Sequence, residues 1–176
     1  MVKVTKAVFL DRDGVLNVPI IIKKKSYAPT KLKDFRLYPK VARFCKMLKQ
    51  KGFLLIVITN QPDYRKKKIP IKVLHEIHQK LKKKIEYDNI YISLSSNPKN
   101  FFKKPNPGML LEAKKKYNID FKKSYLIGDR FSDIEAASNV GCKAIFIDRK
   151  YNELKPSHQV KNTGTFEGAV KFILLR

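Results

Sequence analysis

Asp11 and Asp13 stand one residue apart in the run Phe9-Leu10-Asp11-Arg12-Asp13-Gly14-Val15-Leu16-Asn17, directly after apolar residues. Two carboxylates at that spacing can divide labour, one as a nucleophile and the other as a general acid/base. Residues 7–10 read as a buried strand, which puts Asp11 at its carboxyl end and uses Gly14 to turn the chain away. Alternation along the strand lets both acids approach one site while Arg12 points elsewhere.

Three further clusters follow predicted strands: Thr59-Asn60-Gln61 after the second, Lys103-Lys104-Pro105 after the third and its loop, and Gly128-Asp129-Arg130-Phe131-Ser132-Asp133 after the fourth. Taken singly, such residues at strand ends are commonly caps and turn formers, because their side chains satisfy loose backbone amides. Together they aim acids, a hydroxyl, an amide and an ammonium at one sheet edge, a set suited to phosphoryl transfer. A phosphate ester repels an anionic nucleophile, so a cation must bridge the two; Mg²⁺ prefers oxygen ligands and keeps several waters. Asp11 and Asp129 are the expected carboxylate ligands, with the Asp13 carbonyl as the third. Thr59 and Lys104 supply donors for charge on the phosphoryl oxygens. Asp13 is expected to protonate the departing alkoxide and later to take a proton from water.

The elements that must position these groups alternate, as in a parallel α/β sheet with right-handed crossovers. Strands are predicted at 7–10, 53–58, 90–94, 125–127 and 144–147, and helices at 39–50, 70–85, 107–117, 132–139 and 166–175. Ligands of such sheets bind at the strands' carboxyl ends. Residues 18–38 and 95–106 break the rhythm and are expected to be binding loops over that edge.

With 43% hydrophobic and 31% charged residues among 176, the chain reads as a single globular domain spanning 1–176. It has no apolar run near the ~20 residues of a membrane span and no signal-peptide core at its start. Cys45 and Cys142 make neither a disulfide framework nor a metal quartet, so a cytoplasmic location is expected. Of its 39 basic residues 32 are Lys and 7 Arg, giving a net charge of +24. The Lys triplets at 23–25, 66–68, 82–84 and 114–116 are scattered. Phosphate and base recognition favour the guanidinium fork, so a solvated surface is preferred over a nucleic-acid footprint. No membrane partner is expected, and a monomer is favoured. His75 and His78, three apart on one helix, lack a third ligand nearby and are assigned to surface or core packing rather than to a metal.

The motifs DRDGVLN, TNQPD, KKPNPGML and GDRFSDIEAA, in that order and at these spacings, make the chain resemble the haloacid dehalogenase superfamily from about residue 6 to about residue 151. Within it the similarity is to the branch of heptose bisphosphate and histidinol-phosphate phosphatases. The resemblance implies a Rossmann-like three-layer sandwich without a large cap domain. It also implies Mg²⁺-dependent hydrolysis of a small phosphorylated substrate through an aspartyl-phosphate, with a polynucleotide 3′-phosphatase as the alternative that the charge favours and a catalytically silent binding protein as the non-enzymatic one. By position, Asp11 matches the nucleophile, Asp13 the acid/base, Thr59 and Asn60 the phosphate-binding motif, Lys104 the stabilising lysine and Asp129 the metal-binding acid. Asn60, Gln61, Lys103 and Arg130 are the implied substrate contacts. Asp133 is either an acid that orients Lys104 or a metal-bound water, or a first-turn helix residue.

Three departures stand out. Lys103 replaces an expected arginine, keeping the charge and losing the fork. The loop at 95–106 lacks the Cys and His cluster that holds a structural zinc in many relatives, so no zinc is expected and Phe101 and Phe102 are assigned the task of ordering it. The segment at 64–68 also departs from the branch pattern.

Overall fold

The computed structural model describes residues 4–66 and 69–176. In chain order its elements are β1 (Ala7–Leu10), β2 (Ile20–Ile22), β3 (Lys25–Tyr27), α1 (Val41–Gln50), β4 (Leu54–Asn60), α2 (Asp63–Lys66), α3 (Ile71–Lys84), β5 (Asn89–Ser93), α4 (Gly108–Tyr117), β6 (Tyr125–Gly128), α5 (Phe131–Ser138), β7 (Lys143–Ile147), β8 (Lys161–Thr163) and α6 (Phe166–Leu174).

Six of the strands form one parallel sheet in the order β5-β4-β1-β6-β7-β8. Its central strands β4, β1, β6 and β7 are near-continuous apolar runs because helices cover both faces. The period of two is visible in β1 itself. Val8 and Leu10 pack with Phe44 and Leu48 of α1, Leu74 and Ile77 of α3, and Val170 of α6. Ala7 and Phe9 pack on the other face with Met109 and Leu110 of α4 and Ile134 of α5. The chain runs from β1 outward to β5 and then returns to β6, so the order reverses beside β1 and opens a crevice at the carboxyl ends there.

The predicted helices and strands are all present, with ends displaced by one or two residues. β4 reaches Asn60 instead of stopping at Ile58, which makes Thr59 and Asn60 strand residues with fixed directions. β8 was not predicted: Lys161-Asn162-Thr163 contains no apolar residue, and the strand sits at the sheet edge, paired with β7 alone. Within residues 18–38 lies an unpredicted antiparallel hairpin, β2–β3, turned by Lys23 and Lys24 at φ 50° and 60°. That turn normally selects Asn-Gly, so its sequence carries no hairpin signal. No large cap domain occurs among the described residues. Lys67 and Lys68, part of the basic departure at 64–68, lie outside the described residues.

The 95–106 loop is ordered differently from expectation. Phe101 and Phe102 remain 53% and 40% exposed, stacked edge-on against each other. Asparagines do the tying instead. Asn106 Nδ2 donates to the carbonyls of Pro98 and Asn100, while Asn97 and Asn100 accept from the amides of Lys99 and Phe102.

Candidate active site

Each acid of the site leaves the end of a buried strand. Asp11 follows β1 and its amide donates to the Ile127 carbonyl of β6, which fixes its height in the crevice. Asp129 follows β6, and Asp133 lies in the first turn of α5. The three carboxylates are buried and offer oxygens within 4.8 Å of one another.

Lys104 is the cation set among them. Its Nζ lies 2.6 Å from Asp11 Oδ1 and 2.7 Å from Asp133 Oδ1, and it donates to the Ile58 carbonyl at 2.9 Å. Burial alone would lower the ammonium's pKa, but Asp11 and Asp133 outweigh it and hold Lys104 above the ordinary lysine value. Asp11 is pushed up to about 6, first by burial and then by the Asp133 and Asp13 charges, against the pull of Lys104. Asp133 has both roles that the sequence left open. One oxygen meets Lys104, and the other accepts from the Arg130 amide at 3.1 Å and so caps α5.

Asp129 differs from the other acids: neither of its buried oxygens makes a well-formed hydrogen bond, and the neighbouring Tyr151 hydroxyl only partly offsets the rise in its pKa. Burial, followed by the Asp11 and Asp133 charges, raises its pKa well above the usual carboxylate range. A buried acid with weakly bonded oxygens, facing a second acid across a crevice, fits a hard divalent cation, which takes oxygen ligands and offsets the repulsion. Asp133 has committed both oxygens and Asp11 one, so Asp129 and the second oxygen of Asp11 are left for that task. Gly14 makes room for the arrangement. Its φ is +88°, and a β-carbon there would lie 1.7 Å from Asp129 Oδ2. Gly128 is required as well, since a β-carbon on it would meet Asp133 Cβ at 2.1 Å.

The Asp13 carboxylate is held by three donors. Asn17 Nδ2 reaches Oδ1 at 2.9 Å, while Arg12 Nη2 and Gln61 Nε2 reach Oδ2 at 2.8 and 2.7 Å. Gln61 Nε2 also donates to Thr59 Oγ1 at 2.8 Å, tying the hydroxyl to the acid. The expectation that Arg12 points away needs correction: its side chain is fully buried and its guanidinium curls back onto Asp13.

A cavity of about 210 Å³ opens over Asp11, Asp13, Thr59, Gln61 and Lys104, and Ser26, Tyr27 and Ala28 of the hairpin segment form one wall. The two sequence-predicted basic contacts fare differently. Arg130 lines the cavity but is paired through Nε and Nη2 with Glu153, at 2.9 and 2.6 Å. Lys103 does not line it; its Nζ donates to the Ser96 carbonyl at 2.7 Å and braces the loop. Asn60 lines the cavity and spends its amide on the Lys104 backbone, donating to the carbonyl at 3.0 Å and accepting from the N–H at 3.1 Å.

Asn17 and Arg149 were not singled out from sequence, and His78 was assigned there to packing alone. Asn17 ends the motif that carries the acids, but its bond to Asp13 depends on the turn at Gly14. Arg149 Nε donates to the Gly14 carbonyl at 2.7 Å with its guanidinium 4.0 Å from the Tyr38 ring. His78 is buried on α3 with Nε2 2.9 Å from Arg12 Nη1, whereas His75 is exposed. Cys45 and Cys142 are buried free thiols, both pushed up to about 12 by burial.

Comparison with known proteins agrees with this geometry. Residues 18–141 match the family of haloacid dehalogenase-like hydrolases. A D-glycero-alpha-D-manno-heptose-1,7-bisphosphate 7-phosphatase of Campylobacter jejuni is 35% identical over 140 residues, 77% of each chain. The histidine biosynthesis bifunctional protein HisB of Bacteroides fragilis is 32% identical over 158 residues, which are 85% of this chain and 41% of that protein. The crystal structure of D,D-heptose 1,7-bisphosphate phosphatase from B. bronchiseptica, complexed with magnesium and phosphate, superposes with a TM-score of 0.81 at 21% identity, covering 97% of this chain and 99% of that one. Among the described residues no helix is long and apolar enough to cross a membrane.

Proposed function

Because this chain belongs to the haloacid dehalogenase-like hydrolases, we propose that it is a Mg²⁺-dependent phosphatase that removes the 7-phosphate of a D-glycero-D-manno-heptose 1,7-bisphosphate. The observation that carries the reading is the Lys104 ammonium, 2.6 Å from Asp11 and 2.7 Å from Asp133, beside the buried oxygens of Asp129.

Asp11 attacks phosphorus through a carboxylate oxygen, and the ester P–O bond to the sugar breaks. Asp13 delivers a proton to the departing alkoxide. Water then attacks the aspartyl-phosphate as Asp13 takes its proton, which frees inorganic phosphate, restores the Asp11 carboxylate and returns Asp13 to its protonated form. Asp11, Asp129 and the Asp13 carbonyl would hold Mg²⁺, which would supply Lewis-acid neutralisation of the phosphoryl oxygens. Lys104 contributes fixed positive charge where negative charge develops, and Thr59 contributes a hydroxyl donor. The buried site needs no reorganisation of water to do so.

The substrate assignment is supported by the heptose phosphatase relative and by a polar cavity that brings Asp11, Asp13, Thr59 and Lys104 to one opening. Purified protein assayed for phosphate release with Mg²⁺ and with EDTA, over heptose bisphosphate, other sugar phosphates, histidinol phosphate and a 3′-phosphorylated oligonucleotide, tests it. Metal-dependent preference for the heptose ester is the expected result. Preference for histidinol phosphate or the oligonucleotide would replace the substrate, and no turnover of any would overturn the reading.

A further inference from the structure

The acid/base loop is tied to a helix that the catalytic motifs do not include. Arg12 is fully buried, and its Nε has no hydrogen-bond partner. Its terminal nitrogens hold it: Nη2 donates to Asp13 Oδ2 at 2.8 Å, and Nη1 lies 2.9 Å from His78 Nε2. A guanidinium has only donors, so Nε2 accepts and His78 is the neutral tautomer protonated on Nδ1. Burial and the adjacent Arg12 charge, which push His78 down to about 3, agree with that state.

His78 itself is placed by packing. It shares the buried stripe of α3 with Leu74, Ile77 and Leu81, the i, i+3, i+4 pattern that turns a helix face to the core. The imidazole cannot follow Arg12 if the guanidinium moves, because the helix fixes its backbone. The guanidinium in turn is a rigid planar fork, so fixing Nη1 fixes the direction of Nη2.

We propose that His78 is a positioning residue for proton transfer: by accepting from Arg12 Nη1 it aims the Arg12 fork at Asp13 Oδ2 and so sets where Asp13 meets the departing oxygen. This rests on the reading of Asp13 as the acid/base. Gln61 and Asn17 hold Asp13 from other sides, so loss of His78 misaims the carboxylate without releasing it. The effect is therefore about tenfold, below the 10²–10⁴ of a complete acid/base contribution.

Two esters separate positioning from general damage. Heptose bisphosphate releases a sugar alkoxide that needs the proton, whereas p-nitrophenyl phosphate releases a stabilised phenolate, so its burst reports attack by Asp11 alone. In His78→Leu, kcat on heptose bisphosphate should fall about tenfold with KM within about twofold, while the nitrophenolate burst rate holds. His78→Gln, whose amide oxygen can accept from Arg12, should recover most of the loss. Should His78→Leu fail to fold, His78→Asn takes its place, because its amide oxygen stops short of Arg12. Equal loss on both esters, no loss on either, or His78→Gln no better than the variant lacking an acceptor would overturn the proposal. Wild-type protein inert towards both esters overturns the phosphatase reading and this proposal with it; an active wild type with an insensitive His78 overturns this proposal alone.

Discussion

The α-carbon of Gly14 closes over the carboxylate of Asp129 so tightly that a β-carbon would sit 1.7 Å from Oδ2, with the Tyr151 hydroxyl 2.9 Å away. The turn that carries Asp13 and the acid that follows β6 are thus one packed unit. Gly14→Ala must displace Asp129 and also adopt a φ of +88°. Backbone strain alone is expected to destabilise by roughly 1–3 kcal/mol. The half-saturating Mg²⁺ concentration should rise by about tenfold or more, as expected when a ligand's support is lost. Chemical denaturation and a Mg²⁺ titration of activity check the two halves.

Asp129 is a buried carboxyl whose charged form is disfavoured by burial and by the Asp11 and Asp133 charges. Asp129→Asn removes the charge and keeps the shape, so the metal-free variant should melt higher than metal-free wild type. Wild type should gain about 2.7 kcal/mol at Mg²⁺ one hundredfold above its Kd, and the variant little or nothing. Thermal melts with Mg²⁺ and with EDTA read both effects. A metal-free variant that melts lower would contradict the assignment.

Lys104 compensates Asp11 and Asp133 together. Lys104→Met leaves two like charges in a buried site, an expected loss of about 3–5 kcal/mol in EDTA. In Mg²⁺ the fold should recover, with kcat down roughly 10²–10³ from the missing donor. Denaturant melts and steady-state kinetics on the same preparations separate the two.

The pH dependence of stability has two opposed parts. Asp11, raised to about 6 from 3.8, favours its protonated form in the fold, so its contribution is present at low pH and is lost as pH rises from about 4 to 6. His78, lowered to about 3 from 6.5, favours its neutral form, so its contribution is present above 6.5 and is lost as pH falls towards 3. Asp129, raised by burial, adds to the Asp11 part, so without metal two carboxyls oppose His78 between pH 4 and 6. Asp11→Asn should therefore steepen the acid-side loss of stability, and His78→Gln should flatten or reverse it. Melting temperatures between pH 4 and 7 in EDTA give the slopes.

Arg130 reaches the cavity already paired with Glu153. A substrate's second phosphate would have to share or replace that partner. Glu153→Gln frees the guanidinium and should lower KM for a bisphosphate several-fold more than for a monophosphate, with kcat unchanged. Equal effects on both esters would remove Arg130 from substrate recognition.

Asp11, Thr59, Lys104 and Asp129 were legible because each follows a run of buried residues or a loop leading from one, and parallel strands bring such ends together whatever lies between. What escaped reading depends on contacts between distant segments. Arg12 and His78 are 66 positions apart, and the His78 helix stripe shows burial but not the partner beneath it. β8 lacked apolar residues because an edge strand need not be covered on both sides. Lys103 failed as a cavity residue since its loop is folded by asparagine hydrogen bonds, which bend its side chain back to Ser96.

The central claim is that Asp11 takes the phosphoryl group while Asp13 manages the proton. Intact-mass spectrometry of Asp13→Asn, quenched after mixing with Mg²⁺ and p-nitrophenyl phosphate, tests it most directly. Attack needs no proton for this leaving group, but hydrolysis of the aspartyl ester needs the missing base, so the protein should carry the mass of one phosphoryl group, located on Asp11 and absent from Asp11→Asn/Asp13→Asn. Phosphoryl mass on another residue, or none while wild type turns the ester over, would contradict the account.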